Sequence, residues 1–453
     1  MKIEQFEVEG LAQYSYAISD GGEMAVIDPE RDVEPYLRYA KAEGVRITSV
    51  LETHIHADFA AGSVALAERS GGELALSGYD AGERYVYAMP HRRLMDGDAV
   101  QVGGLRLQAL HTPGHTPEHV SFLLRDASGV LVGMFSGDFL FAGALGRPDL
   151  LGEAAKLGLA RELHRSVTER IAQLPDALPI YPGHGAGSLC GAGLSQRSET
   201  TLGFERQHNP FFGYAEAEFV ERTLASVPPM PTYYPRMKAF NAAGAPVLGV
   251  LPGGRELSVA EVVAMRNKVT LLDVRGVEAF AKDHVAGAVS LGVEGNLSMW
   301  AGWLLDPSLP IVLIGDGRDQ KAARLALVRV GLDTLAGHLA GGMAAWKAAD
   351  QPTISLELLP VTELTPPTAL LLDVRKEQER LTGEIPGSLP IPLGDLMSAL
   401  ETLPKDRPIV TVCESGYRAS AAASLLQRNG FEQVSMLRGG MADWRESVKP
   451  MTA

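Results

Sequence analysis

The segment Thr53-His54-Ile55-His56-Ala57-Asp58-Phe59 sets two histidines and an aspartate within five residues, directly after the apolar run 47–51. Imidazole and carboxylate groups leaving a strand end at this spacing can converge on one point and suit a borderline divalent metal. Four further polar residues follow apolar runs in the same way: His111, His115 in Thr112-Pro113-Gly114-His115, Asp138 in Ser136-Gly137-Asp138, and His184 in Pro182-Gly183-His184. A glycine beside such a residue lets backbone and metal approach closely. One histidine at a strand end is an ordinary loop residue, whereas this ordered set is a metal-site pattern. The second reactive group is Cys413, in Cys413-Glu414-Ser415-Gly416-Tyr417-Arg418, which ends the apolar run 409–412 and leads into a helical stretch from about residue 419. A thiol at the start of a helix faces oriented N–H dipoles. With Arg418 nearby the thiolate is favoured, and Gly416 and Arg418 complete a cradle for a persulfide or an oxyanion. Glu414 weakens that cradle if it points inward. Cys190, six residues past His184, is the remaining cysteine. It reads first as a structural neighbour of the metal pocket and second as a transient persulfide carrier on the substrate side.

The elements that must position these groups are short. Apolar runs at 24–28, 47–51, 74–77, 105–110, 120–124 and 130–135 read as strands, and 35–43, 62–70 and about 153–174 as helices. This mixture predicts an α/β sandwich with the site on its loops. A length of 453 residues allows two to four domains. The formal charge of −14 argues against nucleic acid or an anionic membrane as partner. Two distant cysteines exclude a disulfide framework and suit a reducing compartment. The first residues lack the basic-then-apolar pattern of a signal peptide, and no apolar run reaches membrane-spanning length. A soluble, cytoplasmic chain is expected.

Domain organisation follows from composition and repetition. Residues 1–228 form the first domain. Residues 229–256 are rich in Pro and Gly, which predicts an irregular linker. Beyond it the chain repeats itself with a period of about a hundred residues. Leu271-Leu272-Asp273-Val274-Arg275 returns as Leu371-Leu372-Asp373-Val374-Arg375, and Gly341-Gly342-Met343 as Gly439-Gly440-Met441. Each copy alternates apolar runs with helical stretches, which predicts a parallel sheet flanked by helices, over 257–352 and 358–449. In the first copy Gly315 stands where Cys413 stands in the second, and Gln320 where Arg418 stands. With no thiol, the middle domain is expected to be a non-catalytic scaffold or docking unit.

The order His-x-His-x-Asp, Pro-Gly-His, Gly-Asp, Pro-Gly-His resembles the metallo-β-lactamase superfamily, and the two repeats resemble rhodanese domains. The resemblance implies an αββα sandwich followed by two rhodanese-like α/β domains, the first of them degenerate. Hydrolases of the superfamily carry a further histidine where this chain has Phe59, so one ligand of a second metal is missing and a mononuclear centre is implied. Gly146-Arg147-Pro148-Asp149 resembles a segment of the persulfide dioxygenases of the superfamily. The motif alone leaves His54 and His56 open as ligands. The family resemblance implies one Fe(II) per chain on His54, His115 and Asp138, with His56, Asp58 and His184 orienting ligands or substrate. Zinc is the alternative metal. Arg147 holds an acidic part of the thiol carrier in this reading, and an ion pair with Asp149 is the equally weighted alternative.

The implied activity is oxidation of a low-molecular-weight thiol persulfide by O₂ to sulfite. Cys413 then passes sulfane sulfur to sulfite, giving thiosulfate, in sulfide detoxification. The carrier (glutathione, coenzyme A, bacillithiol or another thiol) is not named by the residues, and a homo-oligomer is expected. The alternative is a thioester hydrolase resembling glyoxalase II, acting on a compound such as S-lactoylglutathione, with a separate rhodanese sulfurtransferase. Phe59 speaks against it, because that chemistry uses paired metals. A non-enzymatic sulfur-carrier or redox-sensing scaffold is the third reading, opposed by the complete ligand set.

Overall fold

The computed structural model describes residues 1–191, 193–364 and 369–447. Residues 448 and 449, expected at the end of the third domain, lie outside them. The chain divides into two compact units, Met1–Gly249 with Val328–Gly331, and the remainder.

In the first unit, β1 (Lys2–Val8), β2 (Gln13–Asp20), β3 (Glu23–Ile27), β4 (Arg46–Leu51), β5 (Glu73–Ser77) and β6 (Arg92–Leu94) form a sheet in sequence order. Its pairs are antiparallel as far as β3 and parallel beyond. Then come β7 (Ala99–Val102), β8 (Leu105–His111), β9 (Val120–Arg125), β10 (Leu131–Gly137), the hairpin β11 (Leu140–Phe141) and β12 (Ala144–Leu145), β13 (Pro179–Pro182) and β14 (Thr200–Thr201). The second sheet runs β14-β13-β10-β9-β8-β7.

Strand periodicity explains the layers. Tyr16, Ile18, Ala25, Ile27 and Leu51 of the first sheet meet Leu107, Phe122, Leu124 and Phe135 of the second. The alternate residues Ala17, Met24, Val26 and Val50 turn outward onto the helices Glu34–Glu43 and Ser63–Ser70 through Tyr36, Ala40 and Leu66. On the far side Leu123, Met134 and Ile180 meet Leu163 and Phe219, on the helices Glu153–Arg165 and Glu216–Ser226. The result is the expected αββα sandwich. Truncating fully buried Phe122 or Phe135 to Ala costs roughly 3–5 kcal/mol.

Two expectations differ from what is observed. The helix read to 174 ends its α-helical part at Arg165, continues as a wider π-type turn, Ser166–Arg170, and stops. That turn points the Ser166 hydroxyl at the Pro113 carbonyl, 2.7 Å away, in the loop that carries His115. The linker is not irregular throughout, since Tyr234–Ala242 is a helix with Pro235 in its first turn, where a missing N–H costs nothing.

The second unit holds two parallel sheets of the same order. The first comprises β15 (Glu256–Leu257), β16 (Thr270–Asp273), β17 (Val289–Ser290), β18 (Ile311–Ile314) and β19 (Leu335–Leu339), ordered β15-β19-β18-β16-β17. The second comprises β20 (Glu357–Leu359), β21 (Leu370–Asp373), β22 (Leu389–Pro390), β23 (Ile409–Val412) and β24 (Val434–Leu437), ordered β20-β24-β23-β21-β22. The repeated Asp-Val-Arg has one physical cause in both copies. Asp273 accepts from the Arg275 backbone N–H and guanidinium, and Asp373 does the same for Arg375. Each arginine then donates to a carbonyl eight residues on, Asp283 or Gly383, tying the strand end to the next loop. Among the described residues no helix is long and apolar enough to cross a membrane.

Candidate metal centre and thiol loop

The loops following β4, β8, β10 and β13 carry His54, His115, Asp138 and His184 respectively. All four side chains are buried. One nitrogen of His54, one of His115 and a carboxylate oxygen of Asp138 lie within 4.8 Å of one another. Asp138 Oδ2 is 3.5 Å from His115 Nε2 and 3.9 Å from His54 Nε2, and none of these three atoms has a hydrogen-bond partner. Three orphaned lone-pair donors in a dry pocket are costly unless an ion joins them. Burial holds both imidazoles well below their ordinary range, reinforced by the neighbouring histidines, so they present neutral nitrogens, as a metal requires. The donor set therefore fits a divalent metal.

The atoms around the trio orient it. Thr53 Oγ1 donates to Asp28 Oδ2 at 2.8 Å and lies 2.9 Å from His54 Nδ1. With its hydrogen committed to Asp28, this oxygen accepts from Nδ1–H, and the lone pair of His54 falls on Nε2. Asp28 also accepts from the Thr53 backbone N–H at 2.7 Å and lies 3.0 Å from His56 Nε2. It collects these donors from a left-handed backbone, φ +52°, at the end of β3. His56 is thus tied to Asp28. Burial opposes its charge, but the Asp28 carboxylate raises it above the ordinary imidazole range. Of the two histidines left open by the motif, the geometry gathers His54 with His115 and Asp138.

His184 bridges two carboxylates, with Nδ1 2.7 Å from Asp138 Oδ1 and Nε2 2.8 Å from Asp58 Oδ2. Burial works against its charge, yet Asp138 and Asp58 push it well above its usual range, so it is an imidazolium clamp. The clamp occupies one oxygen of Asp138 and leaves the other for the trio. Phe59 is fully buried, with its ring 4.4 Å from that of His56. Cys190 lies with Asp58 and His184, one donor atom of each within 4.8 Å of the others. Burial, with Asp58 and Asp138 adding to it, pushes the Cys190 thiol well above its usual range, and the residue packs with Phe141 and Ala144. Arg147 is buried and spends its nitrogens on Asp149, the Leu189 carbonyl and the Pro228 carbonyl, bracing the loop that leads to Cys190. Gly146 passes so near the trio that a Cβ there would lie 1.9 Å from the Asp138 carbonyl and 3.0 Å from His115. His111 stacks on Tyr79 at 3.6 Å and bonds Pro117, apart from the trio.

Several site-building residues carried no local signal in the sequence. Lys238 Nζ donates to the Ile55 carbonyl at 2.6 Å and lies 3.7 Å from Glu118, which itself accepts from the Ile55 N–H. Asn241 donates to the carbonyls of His56 and Phe59 and accepts from Ala61 N–H. Tyr233 donates to the Asp58 carbonyl at 2.9 Å. The helix in the supposed linker therefore holds the backbone of the first motif from about 180 residues away. His119 Nε2 accepts from the Asp138 N–H at 3.2 Å and fixes that side of the pocket.

In the second unit Cys413 follows β23 and is buried, and its sulfur accepts from the Gly416 N–H at 3.1 Å. Arg418 forms a two-pronged pair with Glu379, both contacts 2.6 Å. Glu414 pairs with Arg445 and lies 3.9 Å from Arg375, so its charge is answered away from the sulfur. In the middle domain Gln320 Nε2 closes onto the Gly315 carbonyl at 2.9 Å, filling the place of a cradle.

With two histidines and a carboxylate on the loops of a four-layer sandwich of two mixed sheets, the first unit has the build of a metallo-β-lactamase domain. The Metallo-beta-lactamase superfamily model matches residues 8–184, and the Rhodanese-like domain model matches residues 258–349 and 362–447. The chain belongs to the metallo-β-lactamase superfamily and carries two rhodanese-like domains after that fold. It is 31% identical over 242 residues to a hydroxyacylglutathione hydrolase of Polaromonas sp., covering 48% of this chain and 87% of the relative. It is 32% identical over 215 residues to the mitochondrial persulfide dioxygenase of Bos taurus, covering 46% and 74%. A metallo-beta-lactamase crystal structure from Staphylococcus aureus aligns with a TM-score of 0.68 at 35% identity, covering 75% of this chain and 98% of that one. Hydrolase and dioxygenase are thus equally similar in sequence, and the site must decide between them.

Proposed function

We propose that the chain is a persulfide dioxygenase coupled to a sulfurtransferase. The observation that carries this reading is the altered second metal position, where Asp58 and His184 gather with Cys190 and without a further histidine. Phe59 supplies no ligand there, and both nitrogens of His184 are engaged by Asp58 and Asp138. Thioester hydrolysis in this superfamily uses paired metals, whereas two histidines and one carboxylate suit a single non-haem iron with open positions. His54, His115 and Asp138 would hold that iron, which supplies coordination sites at which a persulfide and O₂ can meet. Thr53 sets the His54 tautomer, His184 keeps one Asp138 oxygen out of hydrogen-bond competition, and Phe59 keeps water from one side.

The balanced first reaction is RSSH + O₂ + H₂O → RSH + sulfite + 2H⁺. The sulfane sulfur loses four electrons and O₂ gains them. In the second reaction Cys413 attacks the outer sulfur of another persulfide, its new S–S bond forming as the carrier's breaks and the carrier leaves as thiol. Sulfite then takes that sulfur, and Cys413 is released as thiolate. The Gly416 N–H steadies the sulfur in both directions.

The test is the product of Cys413→Ser in the full chain. Serine keeps the shape but carries no sulfane sulfur. Persulfide-dependent O₂ uptake should persist while the product shifts from thiosulfate to sulfite, after subtraction of an enzyme-free control. Thiosulfate formation at the wild-type rate above that control would refute the coupling.

A further inference from the structure

The middle domain has no thiol, yet within the second unit it borders the loop and helix that follow Cys413. The helix Tyr417–Arg428, which begins at the thiol loop, is buried from Ala419 to Leu426 without a break. A helix of a lone domain keeps one face in water. Here that face meets the middle domain: Ser420 Oγ lies 2.8 Å from Ser290 Oγ, Ser424 Oγ accepts from Ser290 N–H at 3.0 Å, and Arg428 donates to the Gly287 carbonyl at 3.1 Å. At the other end of the helix the backbone at Gly295 sits so close to Tyr417 that a Cβ there would come within 2.2 Å of the ring.

At this end a cavity of about 730 Å³ opens, a size suited to a small organic ligand. Ser415 and Gly416 of the thiol loop lie in its wall with Arg438 and Asp443, whose charges are opposite. The middle domain contributes Val277, Glu278 and Glu294, and its only charges there are negative. Glu278 and Glu294 are both exposed. Across the whole cavity three carboxylates, Glu278, Glu294 and Asp443, stand against one guanidinium, Arg438, and such an excess of one sign concentrates the opposite sign and repels its own.

We infer that the middle domain determines the specificity of Cys413: Glu278 and Glu294 favour sulfur carriers bearing a cationic ammonium group and disfavour polyanionic ones. This rests on the reading of Cys413 as a sulfurtransfer thiol. The chemistry is the exchange already described, with one S–S bond formed as another breaks, and no oxidant is consumed. Discrimination enters before it, as the carrier enters the cavity. The same carboxylates slow the approach of sulfite, a compact dianion.

The experiment uses the full chain and two probes, cysteamine persulfide, which is cationic, and coenzyme A persulfide, which is polyanionic. kcat/KM for loading Cys413 is read by thiol labelling for wild type, E278Q/E294Q and E278R/E294R, at low and high salt. The double Gln variant should raise kcat/KM for the coenzyme A probe by about fivefold or more, lower it for cysteamine, and speed sulfite as acceptor. The double Arg variant should reverse the preference, and salt should flatten the wild-type ratio. O₂ uptake should be the same in all three proteins. Unchanged probe ratios in both variants, with Cys413 still loaded, would overturn the inference alone. Failure of every probe to load Cys413 in every protein would overturn the sulfurtransfer reading and this inference with it.

Discussion

Replacing Thr53 by Val removes one oxygen from beneath the metal centre and almost nothing else. The two side chains have the same shape, so packing in this fully buried position is kept. What is lost is the hydrogen bond to Asp28 Oδ2, 2.8 Å, and the contact to His54 Nδ1, 2.9 Å. Each leaves a buried polar atom without its partner, at about 1–3 kcal/mol apiece, so the metal-free protein should lose roughly 2–6 kcal/mol. With Nδ1–H unsupported, His54 is free to turn or to change tautomer. Loss of such an orienting partner weakens metal affinity by about 10–100-fold. The assay is competition for iron against a graded chelator, beside denaturant unfolding of the metal-free chain. Thr53→Ser keeps the hydroxyl and should recover most of the affinity, although it loses a methyl. Wild-type iron affinity in the Val variant would refute the tautomer argument, whatever the stability change.

Two further outcomes follow from buried charges. Lys238→Met should destabilise the first unit by roughly 3–5 kcal/mol, because Glu118 is left buried with its charge uncompensated, and adding Glu118→Gln should recover part of that loss in a double-mutant cycle. Burial raises the Glu52 carboxyl to about 7, so the folded chain holds this proton more tightly than the unfolded chain does. Its stabilisation is complete below the ordinary carboxylate range and is lost as pH rises through about 7, up to roughly 3 kcal/mol. Glu52→Gln should therefore flatten the stability profile of the metal-free chain between about pH 5 and 8, and an unchanged slope would contradict the assignment.

The sequence made the ends of the site legible and its supports illegible. Apolar runs marked β3, β4, β5, β8, β9 and β10 to within a residue or two because both faces of this sandwich are covered. β1 and β2 escaped notice: Gln13–Asp20 reads Tyr-Ser-Tyr among small and polar residues, yet it is almost wholly buried because its hydroxyls find partners, Ser15 with Tyr36 and Tyr16 with the Pro182 carbonyl. Histidines after strands were visible as a set, but Asp28, which orders two of them, read only as the last residue of the strand 24–28. The prolines of 229–256 predicted an irregular linker, whereas Pro235 opens the helix that presents Lys238 and Asn241. Contacts that bridge about 180 residues leave no periodicity to read. In the thiol loop the Cys-x-x-Gly-x-Arg spacing was legible, but the pairing of Arg418 with Glu379 depends on a helix some forty residues earlier.

The central claim, oxidation of a persulfide at one iron, is tested most directly by metal analysis and an oxygen electrode on the same anaerobically purified full chain. The expected result is about one iron per chain and O₂ uptake only on addition of a persulfide, with about one sulfur oxidised per O₂ consumed. His115→Ala should abolish both the iron and the uptake. About two zinc ions per chain, with rapid thioester hydrolysis and no O₂ uptake, would contradict the account.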